Sequence, residues 1–481
     1  MNARHHRGRA KKACTRCSIQ KRRCDRAIPE CGLCQRLGQI CKYEVSSSVS
    51  SSAPTPLSSS KVEILMPETF GPSHVKDAIM QRLGSITPDS VFSKYAQSIE
   101  PWFPIISHRL QSQLPSSWTD ASLDFTLLGL CIVMLSANPP PSSEVGSRPS
   151  EFKSWYLCSK SCIALIEGLG INSIEIVLAR LFVSLFEVAH GFYPAAYISI
   201  GATARAADAL AAHSGIFASP FHSSNNKAER QETILIWCGI CILERYISVE
   251  SGLRPSLTDP LTDNVQNVLK DTFHLAHLEQ DPTSLMCRLC RLFDASMLLD
   301  KIRTAISNHA AERPFHMEEI MLTVDTSSKL QSIIMGELGD LEEVYSGGLG
   351  LCNIGLLLAY DNGSKVPLTD SVTSTCNSIA TTSLDALLVN VTSTVEPFVV
   401  GIQTLHFNRL PPFITFLVYK AAALVTSKLC VDIDWNDGLR KLRILRGFLR
   451  MASARWLACE RYLELLNEDT TPRILKSVEQ G

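Results

Sequence analysis

Six cysteines fall within 28 residues of this chain, from Cys14 to Cys41, in the run CTRCSIQKRRCDRAIPECGLCQRLGQIC. Their spacing is C-x2-C-x6-C-x6-C-x2-C-x6-C, so the half-motif C-x2-C-x6-C occurs twice, as Cys14, Cys17, Cys24 and as Cys31, Cys34, Cys41. A segment this short cannot bury a core of its own, so disulfides or metal must fold it. The chain opens on a basic arm (Arg4, Arg7, Arg9, Lys11, Lys12) without an apolar stretch, so no secretory signal and a reducing compartment are expected. The other eleven cysteines are scattered through apolar segments and the total of 17 is odd, which ill suits a disulfide scaffold. Cysteines paired two residues apart then read as zinc ligands, with a disulfide knot or a single-zinc finger as the competing readings. One tetrahedral ion would leave two thiolates unused. Two ions need eight ligand positions, which six thiolates fill if two of them bridge.

This spacing, with Lys21 and the Lys-Arg-Arg-Cys-Asp run, resembles the fungal binuclear zinc cluster transcription factors over Cys14–Cys41. The resemblance implies two zinc ions held by Cys14, Cys17, Cys24, Cys31, Cys34 and Cys41, with Cys14 and Cys31 as the bridges. It implies a short helix and an extended strand in each half, a loop between halves shaped by Pro29, and base-edge reading by Lys21. Ser18 and Gln20 stand where the family often carries basic residues, which removes some expected phosphate contacts.

The charge pattern supports DNA binding independently of the resemblance. Between its second and third cysteines the first half carries Lys21, Arg22 and Arg23; the equivalent stretch of the second half carries only Arg36. The halves match as metal clips and differ as charged surfaces, so the first helix is expected to face nucleic acid and the second to brace it. The DNA-contacting set is Lys21, Arg22 and Arg23 with Arg16 and Lys12. Residues 1–44 hold 12 Lys and Arg against 3 Asp and Glu, a formal +9, while the remaining 437 residues hold 34 against 44, a formal −10. Six thiolates and two zinc ions add −2, leaving the module near +7. A basic module on an acidic body is the footprint of a nucleic-acid binder, hidden by the whole-chain charge of −1. The arm Arg4–Lys12 suits either a nuclear import signal or phosphate contacts.

At 481 residues the chain exceeds one typical domain, and its 45% hydrophobic and 19% charged content suits a large core. No apolar run of about 18–20 residues is apparent, so a soluble protein without membrane partners is expected. Ser46–Ser60 holds nine serines in fifteen residues and reads as a flexible linker. No dimerising heptads follow the cluster; a short helical pattern over Val75–Ile86, with Val75, Ile79 and Leu83 on one face, reads as a lead-in helix. The domains expected are a basic arm and zinc cluster at 1–44, a Ser/Pro-rich linker and lead-in at 45–88, and an all-helical regulatory domain at 89–481.

The fold class expected is therefore all-α. Helical patterns run over Leu123–Ser136, Phe152–Leu169, Ser173–His190, from Pro194 to His213, Ala228–Ser251, Leu285–Ser307, Met317–Tyr345 up to a Gly347-Gly348 break, Thr369–Val391, weakly over Val399–Leu410, and Leu439–Leu466. The last has Arg440, Lys441, Arg443, Arg446 and Arg450 opposite its apolar face, expected to be solvated. Ser93–Ile106 and Leu243-Glu244-Arg245-Tyr246 with Gly252-Leu253-Arg254-Pro255 resemble the middle homology region of the same family, over about 89–290. Glu244 replaces the family's Asp, and Leu253 is an insertion. Glu244 and Arg245 read as structural, a buried ion-pair candidate near a helix end.

Cys238/Cys241 and Cys287/Cys290, with His274 and His277 between, could in principle hold a further zinc, but Cys238 and Cys241 sit within an apolar helix as small hydrophobes. No P-loop, G-x-G-x-x-G, G-x-S-x-G or H-E-x-x-H motif is present, and no enzymatic activity is expected. The reading that follows is a nuclear, zinc-dependent, sequence-specific transcription factor binding double-stranded DNA; the resemblance to the family implies CGG-type half-sites and the regulation of RNA polymerase II genes of a metabolic or biosynthetic set. A homodimer partner and a small-molecule effector or coregulator protein are implied for the helical domain. The competing functions are a zinc-module protein-interaction corepressor and a small-molecule sensor with a DNA tether.

Overall fold

Among the residues described by the computed structural model, regular structure is helical and no β-strand forms. Those residues are 10, 12–19, 23–28, 31–36, 41–43, 71–140, 151–214, 227–253, 284–307, 317–338, 343–366, 371–431 and 435–479. The chain divides into two compact units, Met1–Pro67 and Glu68–Gly481. The first holds two short helices, α1 (Thr15–Ile19) and α2 (Gly32–Arg36). The expected linker Ser46–Ser60 lies outside the described residues.

The second unit begins with α3 (Pro72–Leu83), α4 (Pro88–Ser98), α5 (His108–Ser112), α6 (Leu123–Ser136), α7 (Glu151–Gly168), α8 (Ile174–Ala189), α9 (Ala195–Ser214) and α10 (Lys227–Ser251). It continues with α11 (Leu285–Ser307), α12 (Met317–Glu337), α13 (Gly347–Ser364), α14 (Ser371–Val399), α15 (Pro412–Val431), α16 (Asn436–Ala452), α17 (Ala458–Asp469) and α18 (Pro472–Glu479). Local chemistry sets many boundaries. Thr87, Ser122, Ser173 and Ser346 each accept from a first-turn backbone N–H, capping α4, α6, α8 and α13. Gly191, with φ 68°, ends α8 in a conformation that disfavours a side chain. The expected lead-in helix is α3, and Val75, Ile79 and Leu83 are buried on its inner face.

Helix α8 packs against α6, α9 and α10; α10 packs against α11; and α13 is surrounded by α11, α12, α14 and α15. The residues singled out in Ala228–Ser251, namely Ile234, Trp237, Cys238, Cys241, Ile242 and Tyr246, are all buried. Glu244 and Arg245 are buried too, and Arg245 donates to Ser296 Oγ and lies over the Phe293 ring. Arg254 and Pro255 lie outside the described residues.

The structure corrects six sequence expectations. Gly347-Gly348 is no break but the first turn of α13. Its glycines admit close neighbours: a Cβ on Gly350 would stand 2.9 Å from Ile414 Cδ1, and one on Gly355 3.1 Å from Ile302 Cδ1. Tertiary packing here overrides glycine's poor helix propensity. The helix expected over Met317–Tyr345 ends at Glu337, and Glu343–Tyr345 is a separate 3-10 turn. Val399–Leu410 is not a helix; α14 ends at Val399, and 3-10 geometry returns only at Phe407–Arg409.

Pro412–Val431, not expected as a helix, is 20 residues long with mean hydropathy 1.5, apolar enough by length and composition to cross a membrane. Lys420 and Lys428 hide that run in the sequence. It packs against α13, α14, α16 and α17, with Phe413, Phe416 and Val425 buried, as a core helix does.

The closing helix expected over Leu439–Leu466 is interrupted between α16 and α17. Its basic face is also less solvated than expected: Lys441 and Arg446 are buried, Arg446 donates to Asn467 Oδ1, and Arg443 donates to the Ser477 carbonyl. The interruption is fixed by long-range polar contacts. Arg455 is 1% exposed and donates to the carbonyls of Leu135 (2.7 Å) and Ala137 (3.1 Å), at the end of α6, while its guanidinium lies 3.8 Å from the Trp456 ring centroid. Trp456 Nε1 donates to the Leu410 carbonyl, and His190 Nδ1 accepts from Leu457 N–H. Burial, and then Arg455, push the His190 pKa well down, so it is neutral and free to accept. Arg455→Leu is expected to cost about 3 kcal/mol, because it strands two buried carbonyls. Urea unfolding measures this, and an unchanged midpoint would show that the carbonyls find other donors.

Candidate metal centre

In the small unit the six cysteines converge. The Sγ atoms of Cys14, Cys17, Cys24 and Cys31 lie within 4.8 Å of one another, as do those of Cys14, Cys31, Cys34 and Cys41. The two sets share Cys14 and Cys31, whose sulfurs are 3.8 Å apart. Cys14–Cys34 and Cys17–Cys31 are also 3.8 Å apart. Two thiolates bound about 2.3 Å from one tetrahedral zinc stand about 3.8 Å apart, so the donor set fits the metal. All 17 cysteines are free, so the disulfide knot is not formed.

The arrangement is a pseudo-twofold, and its symmetry follows the 17-residue offset between the half-motifs. Ser18 N–H donates to the Cys14 carbonyl and Gln35 N–H to the Cys31 carbonyl, each at 3.0 Å, opening α1 and α2 alike. Each helix start is then held by the tail of the other half. Gly32 N–H, at the start of α2, donates to Asp25 Oδ1 and Oδ2 at 3.1 and 3.0 Å, just after Cys24. Thr15, at the start of α1, donates through N–H (2.9 Å) and Oγ1 (3.2 Å) to the carbonyl of Lys42, just after Cys41. Gly32 has to be small, since a Cβ there would stand 2.7 Å from Asp25 Oδ2. Tyr43 closes the cluster, donating to the Ala27 carbonyl at 2.9 Å with its hydroxyl 4.0 Å from Cys24 Sγ.

Sequence reasoning found the sulfurs and missed these braces. The Cys-Asp and Cys-Gly pairs at 24–25 and 31–32 were the available signal for one of them. Nothing in the spacing marks Tyr43 or the Lys42 carbonyl, because a backbone acceptor has no sequence signature.

Without metal the thiols impede one another. Against the desolvation that opposes ionisation, hydrogen bonds from Cys34, Cys14 and Cys17 hold Cys31 down to about 6. Desolvation, then hydrogen bonds and charge at Cys14 and Cys31, push Cys17 up to about 12. Zinc removes this conflict by stabilising every thiolate it binds, which makes binding free energy into folding free energy.

Of the residues expected to contact DNA, Lys12 and Arg23 are exposed. Lys21 and Arg22 lie outside the described residues, as do Pro29, Arg4, Arg7, Arg9 and Lys11 of the arm and the side chain of Arg16. Cys238, Cys241 and Cys290 are buried in α10 and α11, and among the described residues only the N-terminal cysteines form metal-holding groups. Burial, opposed by Arg245 and aided by the charges of Glu244 and Asp300, pushes the Cys241 thiol up to about 11, as suits a core cysteine. His274 and His277 lie outside the described residues. A zinc chelator is expected to unfold the small unit and leave the large one intact. Limited proteolysis with mass spectrometry would then show cleavage within 10–43 and protection beyond residue 71. Loss of far-UV helical signal in step with zinc release would contradict this.

Comparison with known proteins agrees with the geometry. The family described as the fungal Zn(2)-Cys(6) binuclear cluster domain matches residues 12–50. The transcription factor BOA15 of Botryotinia fuckeliana (strain B05.10) is 32% identical over 126 residues, which span 26% of this chain and 67% of that protein. No solved structure matches the chain. With six thiols in two overlapping sets of four, a matching family and a transcription-factor relative, the chain belongs to the fungal binuclear zinc cluster family and is a DNA-binding transcription factor holding two zinc ions.

Proposed function

We propose that the protein acts in the nucleus as a sequence-specific regulator of RNA polymerase II genes, a metabolic or biosynthetic set, through CGG-type half-sites. The observation that carries this reading is a pseudo-symmetric metal cluster with an asymmetric charge. The offset that superposes Cys14 on Cys31 superposes the Lys21-Arg22-Arg23 run on a stretch that holds no charge. A cluster that served only to cross-link the chain would have no need of this difference.

In this proposal Cys14 and Cys31, common to both four-thiol sets, bridge the ions. Lys21, with Arg22 and Arg23, enters the major groove, where Lys21 donates to guanine O6 and N7, and Arg16, Lys12 and the basic arm contact the DNA backbone. Affinity then falls with salt with a slope of about −0.9 per phosphate neutralised. Residues 1–44 form the DNA-binding domain, 45–88 the linker and 89–481 the regulatory domain, its first part the middle homology region. That domain receives an effector or coregulator and joins two copies where the DNA site is paired.

Selection from random double-stranded DNA with the zinc-loaded full chain tests the proposal. Enrichment of a CGG-like triplet is expected; retention of two zincs with no enrichment would favour a protein-interaction module. Lys21→Ala is expected to lower discrimination at one base by about 1–3 kcal/mol with zinc content unchanged. An equal loss on random and specific DNA would make Lys21 a phosphate contact. Cys14→Ser is expected to release both ions, and retention of two would remove it as a bridge.

A further inference from the structure

One cavity of the helical unit joins incompletely paired buried polar atoms to an aromatic wall and two cations that form no ion pair among the described residues. It has a volume of about 420 Å3 and is lined from the start of α9, the end of α10, α15 and α17. Glu250 forms its floor. Oε1 accepts from the Tyr462 hydroxyl at 2.5 Å. Oε2 and the hydroxyl of Tyr193, which lines the same cavity, are buried and make no hydrogen bond of good geometry, although the Tyr193 and Tyr246 hydroxyls lie against the carboxylate. Buried polar atoms are nearly always well paired, so incomplete pairing at the edge of a cavity leaves a place for a ligand's donor.

The wall is the Tyr419–Tyr462 stack, with ring centroids 4.6 Å apart and planes at 13°, flanked by Phe416. Lys420 Nζ lies 5.3 Å from the Phe416 centroid and 5.7 Å from that of Tyr419. Arg461 lies over the Tyr193 ring and donates to the Gly191 carbonyl. Neither cation makes an ion pair among the described residues. These charges choose between ligand classes. An aromatic box over a carboxylate would ordinarily suit an ammonium ligand, but Lys420 already occupies the ring faces and repels a second cation. Two cations against one carboxylate leave the lining at +1, which suits a monoanion.

We propose that this cavity binds a small aromatic acid bearing a hydroxyl or amine. The donor meets Glu250 Oε2, the ring lies along Tyr419 and Tyr462, and the acid faces Lys420 and Arg461. As an effector site this rests on the regulatory role proposed for the helical unit; as a binding site it stands without it.

The test is calorimetric titration of the zinc-loaded full chain with 4-hydroxybenzoate and 4-aminobenzoate, beside benzoate, which lacks the donor, and phenol, which lacks the acid. The two substituted acids are expected to bind at least about 10-fold more tightly than either control, the scale of one lost charge-assisted contact. Glu250→Gln and Lys420→Ala should each weaken binding by about the same factor. Lys420 is only partly buried, which keeps the test valid if the Glu250 substitution misfolds. Equal binding of all four probes, binding that survives either substitution in a folded protein, or no binding by any probe overturns the inference. DNA binding measured in the same samples separates the two readings. Protein that binds DNA and no probe loses the ligand site and keeps its regulatory reading; protein that binds the probes without any change in DNA occupancy keeps the site and loses the effector role.

Discussion

The small unit depends on one physical constraint: six sulfurs crowded within a few ångströms need a cation to hold them. As thiols they compete for protons and hydrogen bonds, as the opposed shifts at Cys31 and Cys17 show. As thiolates they would repel one another. Two divalent ions turn that repulsion into the attraction that folds a segment too small for a hydrophobic core. The reciprocal braces then give the cluster one shape. Asp25 holds the start of the second helix and the Lys42 carbonyl holds the start of the first, so neither half is complete without the other. A rigid platform of this kind lets a short basic run be presented to a groove at low cost in ordering.

The large unit is organised differently. Its core is an ordinary apolar one, but buried polar groups tie segments distant in sequence. Arg455 reaches the end of α6, His190 receives the Leu457 N–H, and Trp456 bonds the Leu410 carbonyl. Near the cavity of α15 and α17, Glu250 accepts from Tyr462 and Arg461 donates to the Gly191 carbonyl, yet these two groups and Lys420 form no ion pair among the described residues and line a common space.

Legibility in the sequence followed the same division. The metal cluster was readable because ligand geometry writes itself into spacing: the half-motif, its repeat and the count of thiols per ion need no tertiary information. Apolar runs opened by a capping serine, such as Leu123–Ser136 after Ser122 and Leu285–Ser307 after Ser284, were readable to the residue. The glycine-rich α13 was not, because what makes it a helix is the fit of Ile414, Ile302 and Leu292 against bare backbone. The interruption after Ala452 was not either, since Arg455 looks like one more residue of a basic face until its carbonyl partners, more than 300 residues earlier in the chain, are in place. The sequence also misjudged Lys441 and Arg446 as solvated, because side-chain length lets a charge lie against the core while its head finds a partner.

The central claim is that six thiolates share two ions. Native mass spectrometry of the full chain after alkylation of accessible thiols tests it most directly. The account predicts two zincs per chain with all six cysteines of Cys14–Cys41 unmodified until the metal is removed. One zinc per chain, with two of those six cysteines alkylated, would contradict it.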